Sequence, residues 1–81
     1  METIRELLNR IRWDDEFGQG SFDVGIYDRV DDTVAFHPLE ELHLENGNHF
    51  SFTICVDGEV LTIPFHRIRE VRKNGECIWK R

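Results

Sequence analysis

The chemistry in this sequence is concentrated between Ile63 and Arg81. That segment carries Arg67, Arg69, Arg72, Lys73, Lys80 and Arg81, with His66 near one end and Trp79 near the other. Arginine can hold a phosphate through two parallel N–H bonds, histidine offers a donor near neutral pH, and an indole offers a stacking face. Together they suit the end of a nucleotide chain. Tyr27 and Arg29 form a smaller polar pair upstream. Each of these residues also has a plainer reading. Cations keep an edge strand from pairing with other chains. A tryptophan fills a core, and a single histidine forms a structural hydrogen bond. The polar face of a strand, here carrying Tyr27 and Arg29, meets solvent. Spacing alone favours the plainer reading for each of them.

Other chemistries lack their residues. His37, His43, His49 and His66 show no zinc spacing, and Cys55 and Cys77 form no C-x-x-C. Asp31, Asp32 and Asp57 fit no calcium loop, and no phosphate-binding glycine loop or nucleophile elbow is present. Paired H-x-S or H-x-T motifs would point to cyclic phosphodiester cleavage, but only His49-Phe50-Ser51 has that form. Adjacent acids such as Glu40-Glu41 read as a solvated face. No metal or cofactor is expected, and the chain is not expected to be an enzyme.

The elements that position these residues begin with a helix over Thr3–Trp13. Thr3 and Glu6 make a T-x-x-E capping box, and Ile4, Leu7, Leu8 and Ile11 form one apolar stripe. Arg5, Asn9 and Arg12 line one edge of that stripe. Residues 14–20 form a polar exit. Phe22, Val24 and Ile26 then alternate with Asp23, Gly25 and Tyr27, placing Tyr27 opposite the apolar face. Val34 and Phe36 share one face of a strand over Thr33–His37. His37–Leu42 is a break with one helical turn, and Asn46-Gly47-Asn48 is a loop. Phe50–Val56 is the clearest strand, and Asp57-Gly58 turns it into Val60–Ile63. Pro64 interrupts pairing. Asn74-Gly75 joins Arg69–Lys73 to Glu76–Lys80, and a two-residue loop pairs Arg72 with Cys77, Val71 with Ile78, Glu70 with Trp79 and Arg69 with Lys80. In that register neither face of the hairpin is purely apolar.

Eighty-one residues allow one domain, residues 1–81, with a thin core. Cys55 and Cys77 are expected as buried, reduced thiols in a cytoplasmic protein, since no export signal or membrane span is legible. Residues 64–81 hold six cations against two acids, a net of +4, within a chain of net charge −6. A basic segment on an acidic body implies a local anion site rather than a broad basic surface.

The run Ile63-Pro64-Phe65-His66-Arg67-Ile68-Arg69 through Gly75 to Ile78-Trp79-Lys80-Arg81 resembles the I-P-x-H-R-I-R…G…[IV]-W-x-R signature of a small family. That family consists mostly of standalone archaeal proteins and is proposed to recognise RNA ends bearing a cyclic phosphate. Thr3–Asp14 resembles its opening, and Ile26-Tyr27-Asp28-Arg29 is similar to one of its strands. The resemblance implies candidate phosphate-binding residues Arg29, His66, Arg67 and Arg69, with Arg12, Trp13 and Tyr27 behind them. The expected fold is α+β, one N-terminal helix packed on a curved antiparallel sheet of about five or six strands. The leading reading is binding of a 2′,3′-cyclic phosphate terminus during RNA repair or processing, alongside RNA-processing enzymes and away from membranes. The alternative is a non-catalytic module docking an acidic protein through the basic hairpin. A weaker third reading is a phosphoesterase using His66.

Overall fold

The first turn of the chain forms the capping box that its sequence specifies. The Thr3 hydroxyl accepts from Glu6 N at 3.2 Å, and Thr3 N donates to the Glu6 carboxylate at 3.1 Å. Two orphan donors are thereby satisfied, and helix α1 runs over Ile4–Trp13. The structure, a computed structural model, describes residues 2–45, 47 and 50–81. The readings that rested on Asn46, Asn48 and His49 lie outside these residues.

Among the described residues seven strands follow α1, each antiparallel to its neighbours: β1 (Phe22–Asp28), β2 (Thr33–Pro38), β3 (Leu42–His43), β4 (Ser51–Val56), β5 (Glu59–Pro64), β6 (Ile68–Lys73) and β7 (Glu76–Lys80). The fold is α+β, as the sequence implies. Its strands divide between two sheets, one ordered β2-β1-β6-β7 and the other β3-β4-β5. The chain crosses between the sheets twice by the same device. Pro38 and Pro64 each end a strand in an extended conformation, and each is followed by a three-residue 3-10 turn, Leu39–Glu41 and Phe65–Arg67. Proline has no N–H to continue a ladder, so pairing stops there.

The core lies between the two sheets and α1. Ile4, Leu7 and Leu8 of the helix meet Phe22, Val24, Ile26, Ile68 and Val71 of the larger sheet and Leu42, Phe52 and Ile54 of the smaller. Ile11, the last residue of the apolar stripe, is half-buried at the margin. No described helix is long and apolar enough to cross a membrane.

Two β-bulges resolve the mixed faces of the C-terminal hairpin. Against β1, Glu70 pairs with Gly25 and Ile68 with Ile26, so Arg69 is an extra residue in β6. Strict alternation would put Arg69 on the core side with Val71. The bulge instead turns both Ile68 and Val71 inward, each 0% exposed, and leaves Arg69 outside. The second bulge corrects the expected register of β7. Arg72 does pair with Cys77, but Val71 then faces Trp79 and Glu70 faces Lys80, with Ile78 as the extra residue. Ile78 and Trp79 both pack on the core as a result. The Trp79 indole N–H donates to Glu2 O at 2.8 Å, so Trp79 is a structural residue and not a stacking face.

The cysteines also depart from expectation. Cys55 and Cys77 are free but exposed. Cys55 occupies a position on β4 between the inward-facing Ile54 and the half-buried Val56, and pairs with the exposed Val60. The alternation that buries Phe52 and Ile54 turns its thiol outward.

Candidate functional site

The end of β1, the turn after it, the 3-10 turn at Phe65–Arg67 and the bulge in β6 come together at one end of the two inner strands of the larger sheet. Tyr27, Arg29, His66, Arg67 and Arg69 line a shallow depression there, about 310 Å³ in volume. Each side chain arrives for a local reason. Tyr27 is the outward residue next to the inward Ile26 on β1. Arg29 sits in a turn shaped by Asp28, whose carboxylate accepts from Val30 N at 2.9 Å and Asp31 N at 3.4 Å. His66 and Arg67 are carried by the 3-10 turn, which Pro64 starts and which the Phe65 N–H to Phe50 O bond of 2.9 Å fastens to the smaller sheet. Arg69 is turned outward by its bulge, and its guanidinium lies 5.2 Å from the centre of the Tyr27 ring.

The electrostatics of the depression differ from those of the rest of the chain. Among the described residues no carboxylate lines it. Among the described residues the ion pairs are Arg10 with Glu2, His37 with Glu41 and Arg72 with Glu70, and none involves Arg29, Arg67 or Arg69. Three guanidiniums therefore face one small volume with no ion-paired carboxylate among the described residues, on a protein of net charge −6. Arg81 closes the margin by donating to His66 O at 3.1 Å. At the rim the Tyr27 hydroxyl donates to Asp32 at 2.6 Å. That hydrogen bond, with burial and the nearby carboxylate charge, holds the phenol above its ordinary pKa of 10.0, while Arg69 and Arg29 pull the other way.

Five of the seven residues singled out in the sequence thus meet in one place. Arg12 and Trp13 do not join them. Arg12 lines a separate apolar cleft with Leu8, Ile11, Leu39, Leu42 and Leu44, and its guanidinium lies over the Trp13 ring at 5.2 Å. The helix C-terminus is packed near Phe22 and Pro38, at the opposite end of β1 from Tyr27. Sequence reasoning missed Asp32 and Arg81 as the supports of Tyr27 and His66. Among the described residues no cluster of three or more His, Cys, Asp or Glu side chains could hold a metal ion.

A depression lined by three arginines, a histidine and a tyrosine offers donors of the kind an oxyanion accepts, and comparison with known families gives it a context. The model of the MJ1316 RNA cyclic group end recognition domain matches residues 1–81. The chain belongs to this family. The family is described by recognition of an RNA cyclic group end, which names binding rather than catalysis. Neither the curated proteins nor the solved structures compared with the chain give a match. For this member of the RNA cyclic group end recognition family, the cationic depression is the surface whose chemistry agrees with that description.

Proposed function

We propose that the chain binds the 3′ terminus of RNA ending in a 2′,3′-cyclic phosphate, and does so through Tyr27, Arg29, His66, Arg67 and Arg69. The observation that carries this reading is the convergence on one depression, beside His66, of three arginines that make no ion pair among the described residues. A cyclic phosphate is a compact monoanion with two free oxygens. Arg29 and Arg67 supply bidentate donors to those oxygens, and His66 supplies a further one. The Tyr27 ring and the Arg69 guanidinium beside it pack against the ribose. Because the remaining surface is acidic, a long RNA backbone gains little elsewhere, and selectivity rests on the end. The role is to hold such an end during RNA repair or processing and present it to processing enzymes. In this reading the domain holds the end rather than cleaving it, which is supported by a family description that names recognition.

The test compares two short oligonucleotides that differ only in carrying a cyclic phosphate or a free 3′ hydroxyl. The cyclic end should bind more tightly, and Arg67→Ala should remove that difference while hardly changing the hydroxyl-ended RNA. Equal binding of both, with a steep dependence on salt, would mean non-specific attraction. If neither RNA binds, the acidic-partner reading of the basic hairpin takes its place. Two of that hairpin's cations are already engaged internally, Arg72 with Glu70 and Lys73 with Phe17 O at 2.9 Å.

A further inference from the structure

Tyr27 and Arg69 also border a second depression. It is a groove of about 490 Å³ on the outer face of the four-stranded sheet, lined besides by Val34, Phe36, Lys80 and Arg81. Sharing Tyr27 and Arg69, the groove is continuous with the cationic depression. Its volume falls in the range of roughly 300–1,000 Å³ usual for ligand sites. Phe36, Gly25, Glu70 and Lys80 form one row across all four strands. A Cβ on Gly25 would come within 2.9 Å of both the Phe36 ring and Val34 Cγ1, so the aromatic side chain leans across a strand left bare by glycine. Phe36 is nevertheless 38% exposed. The Arg72 guanidinium lies 4.1 Å from its ring centre. The carboxylate lining the groove, Glu70, is taken up by that same arginine. A part-exposed aromatic floor, shared with the Arg72 guanidinium and bordered by a cationic rim, is chemistry suited to stacked bases and the phosphates between them. An acidic peptide would use the rim and leave the floor unused.

We propose that this groove receives the nucleobases adjoining the RNA end. It rests on the end-binding reading above and extends it. The cyclic phosphate seats against Arg29, His66 and Arg67, the last one or two bases lie along Tyr27 and Phe36, and the phosphate between them faces Lys80 and Arg81. The ligand is therefore a single-stranded end of at least two nucleotides, with little base preference, because every base has a stacking face. An end held in a blunt duplex has its bases already stacked and is a poor ligand.

The test uses a cyclic-ended trinucleotide and its counterpart with the last two bases removed, each titrated against wild type, Phe36→Leu and Phe36→Tyr. Leucine keeps an apolar cover over Gly25 but has no π face, and tyrosine keeps both. Base removal should weaken binding to wild type roughly tenfold, in keeping with one to two lost stacks. Phe36→Leu should weaken the base-bearing ligand several-fold and leave the abasic one unchanged, and Phe36→Tyr should behave as wild type. The proposal is overturned if Phe36→Leu affects both ligands alike or neither. Parallel titration of the hydroxyl-ended trinucleotide separates the two readings. If the cyclic end still wins but the bases make no difference, only the groove assignment fails. If cyclic and hydroxyl ends bind alike, the end reading itself fails.

Discussion

Tyr27 is held from two sides, by Asp32 at its hydroxyl and by Arg69 over its ring. It is the chain's single tyrosine, so an alkaline absorbance titration reports on it alone. Its midpoint should lie above the ordinary value and fall back toward it in Asp32→Asn, because the bond to Asp32 is the largest cause of the shift. Since the folded pKa is raised, the stabilisation from this contact is complete below the unfolded value near 10.0 and is lost as pH rises through the folded one. A pH-independent melting temperature above 10 in wild type would contradict that linkage. For RNA binding, Arg29→Ala and Arg67→Ala should each weaken a cyclic-ended oligonucleotide about tenfold or more. The loss of a charge-assisted bond is worth about 1.5–3 kcal/mol. Titration calorimetry of the two variants checks this. Residue types and their resemblance to a family were enough to select Tyr27, Arg29, His66, Arg67 and Arg69. The sequence could not disclose that these arginines lack carboxylate partners, because pairing is decided by which strands end side by side. The same reason explains Arg12 and Trp13. Helical spacing says which face they occupy, not which end of the sheet that face meets.

Turns and caps were the most legible elements, because their rules are local. Thr3→Ala removes the hydroxyl of the capping box and should cost about 1 kcal/mol in chemical denaturation. Leu7→Ala, at a position 1% exposed between both sheets, should cost about 2–5 kcal/mol by the same measurement. A much smaller loss would mean that the helix is not part of the core. The Asn74-Gly75 turn was also readable, with Asn74 at φ 51° and Gly75 at φ 84°. Its tether was not. Asn74 N donates to Ser21 O at 2.7 Å, and Asn74 Oδ1 accepts from Ser21 N at 2.9 Å, so the hairpin is tied to a segment 53 residues earlier. The bulges at Arg69 and Ile78 escaped for a different reason. Each adds one residue to one strand, and the choice between alternation and a bulge depends on what lies across the sheet. The mixed apolar and charged face of the expected register was the trace they left in the sequence. The strand β3, two residues long, is too short to show any period.

At the scale of the whole molecule, charge is segregated. An acidic body carries a cationic margin, so binding of an RNA end should weaken only shallowly with salt. Two or three neutralised phosphates on a single strand give a logarithmic slope of about −1.4 to −2. Anisotropy titrations across a range of salt concentrations measure it, and a slope several times steeper would indicate that the RNA tracks a longer surface. The bond from the Trp79 indole to the Glu2 carbonyl spans 77 positions of sequence in 2.8 Å. It holds the segment at Glu2 beside the one at Trp79, against the same helix that Glu2 grips through Arg10. Connectivity is therefore separable from architecture. A linker of about six residues, reaching up to about 20 Å, could join residue 81 to residue 2. New ends could be opened at Asp57-Gly58, where an added side chain at Gly58 would touch nothing within 4 Å. Such a circular permutant should assemble the same two sheets and keep the same depression, although its strands would be synthesised in a different order.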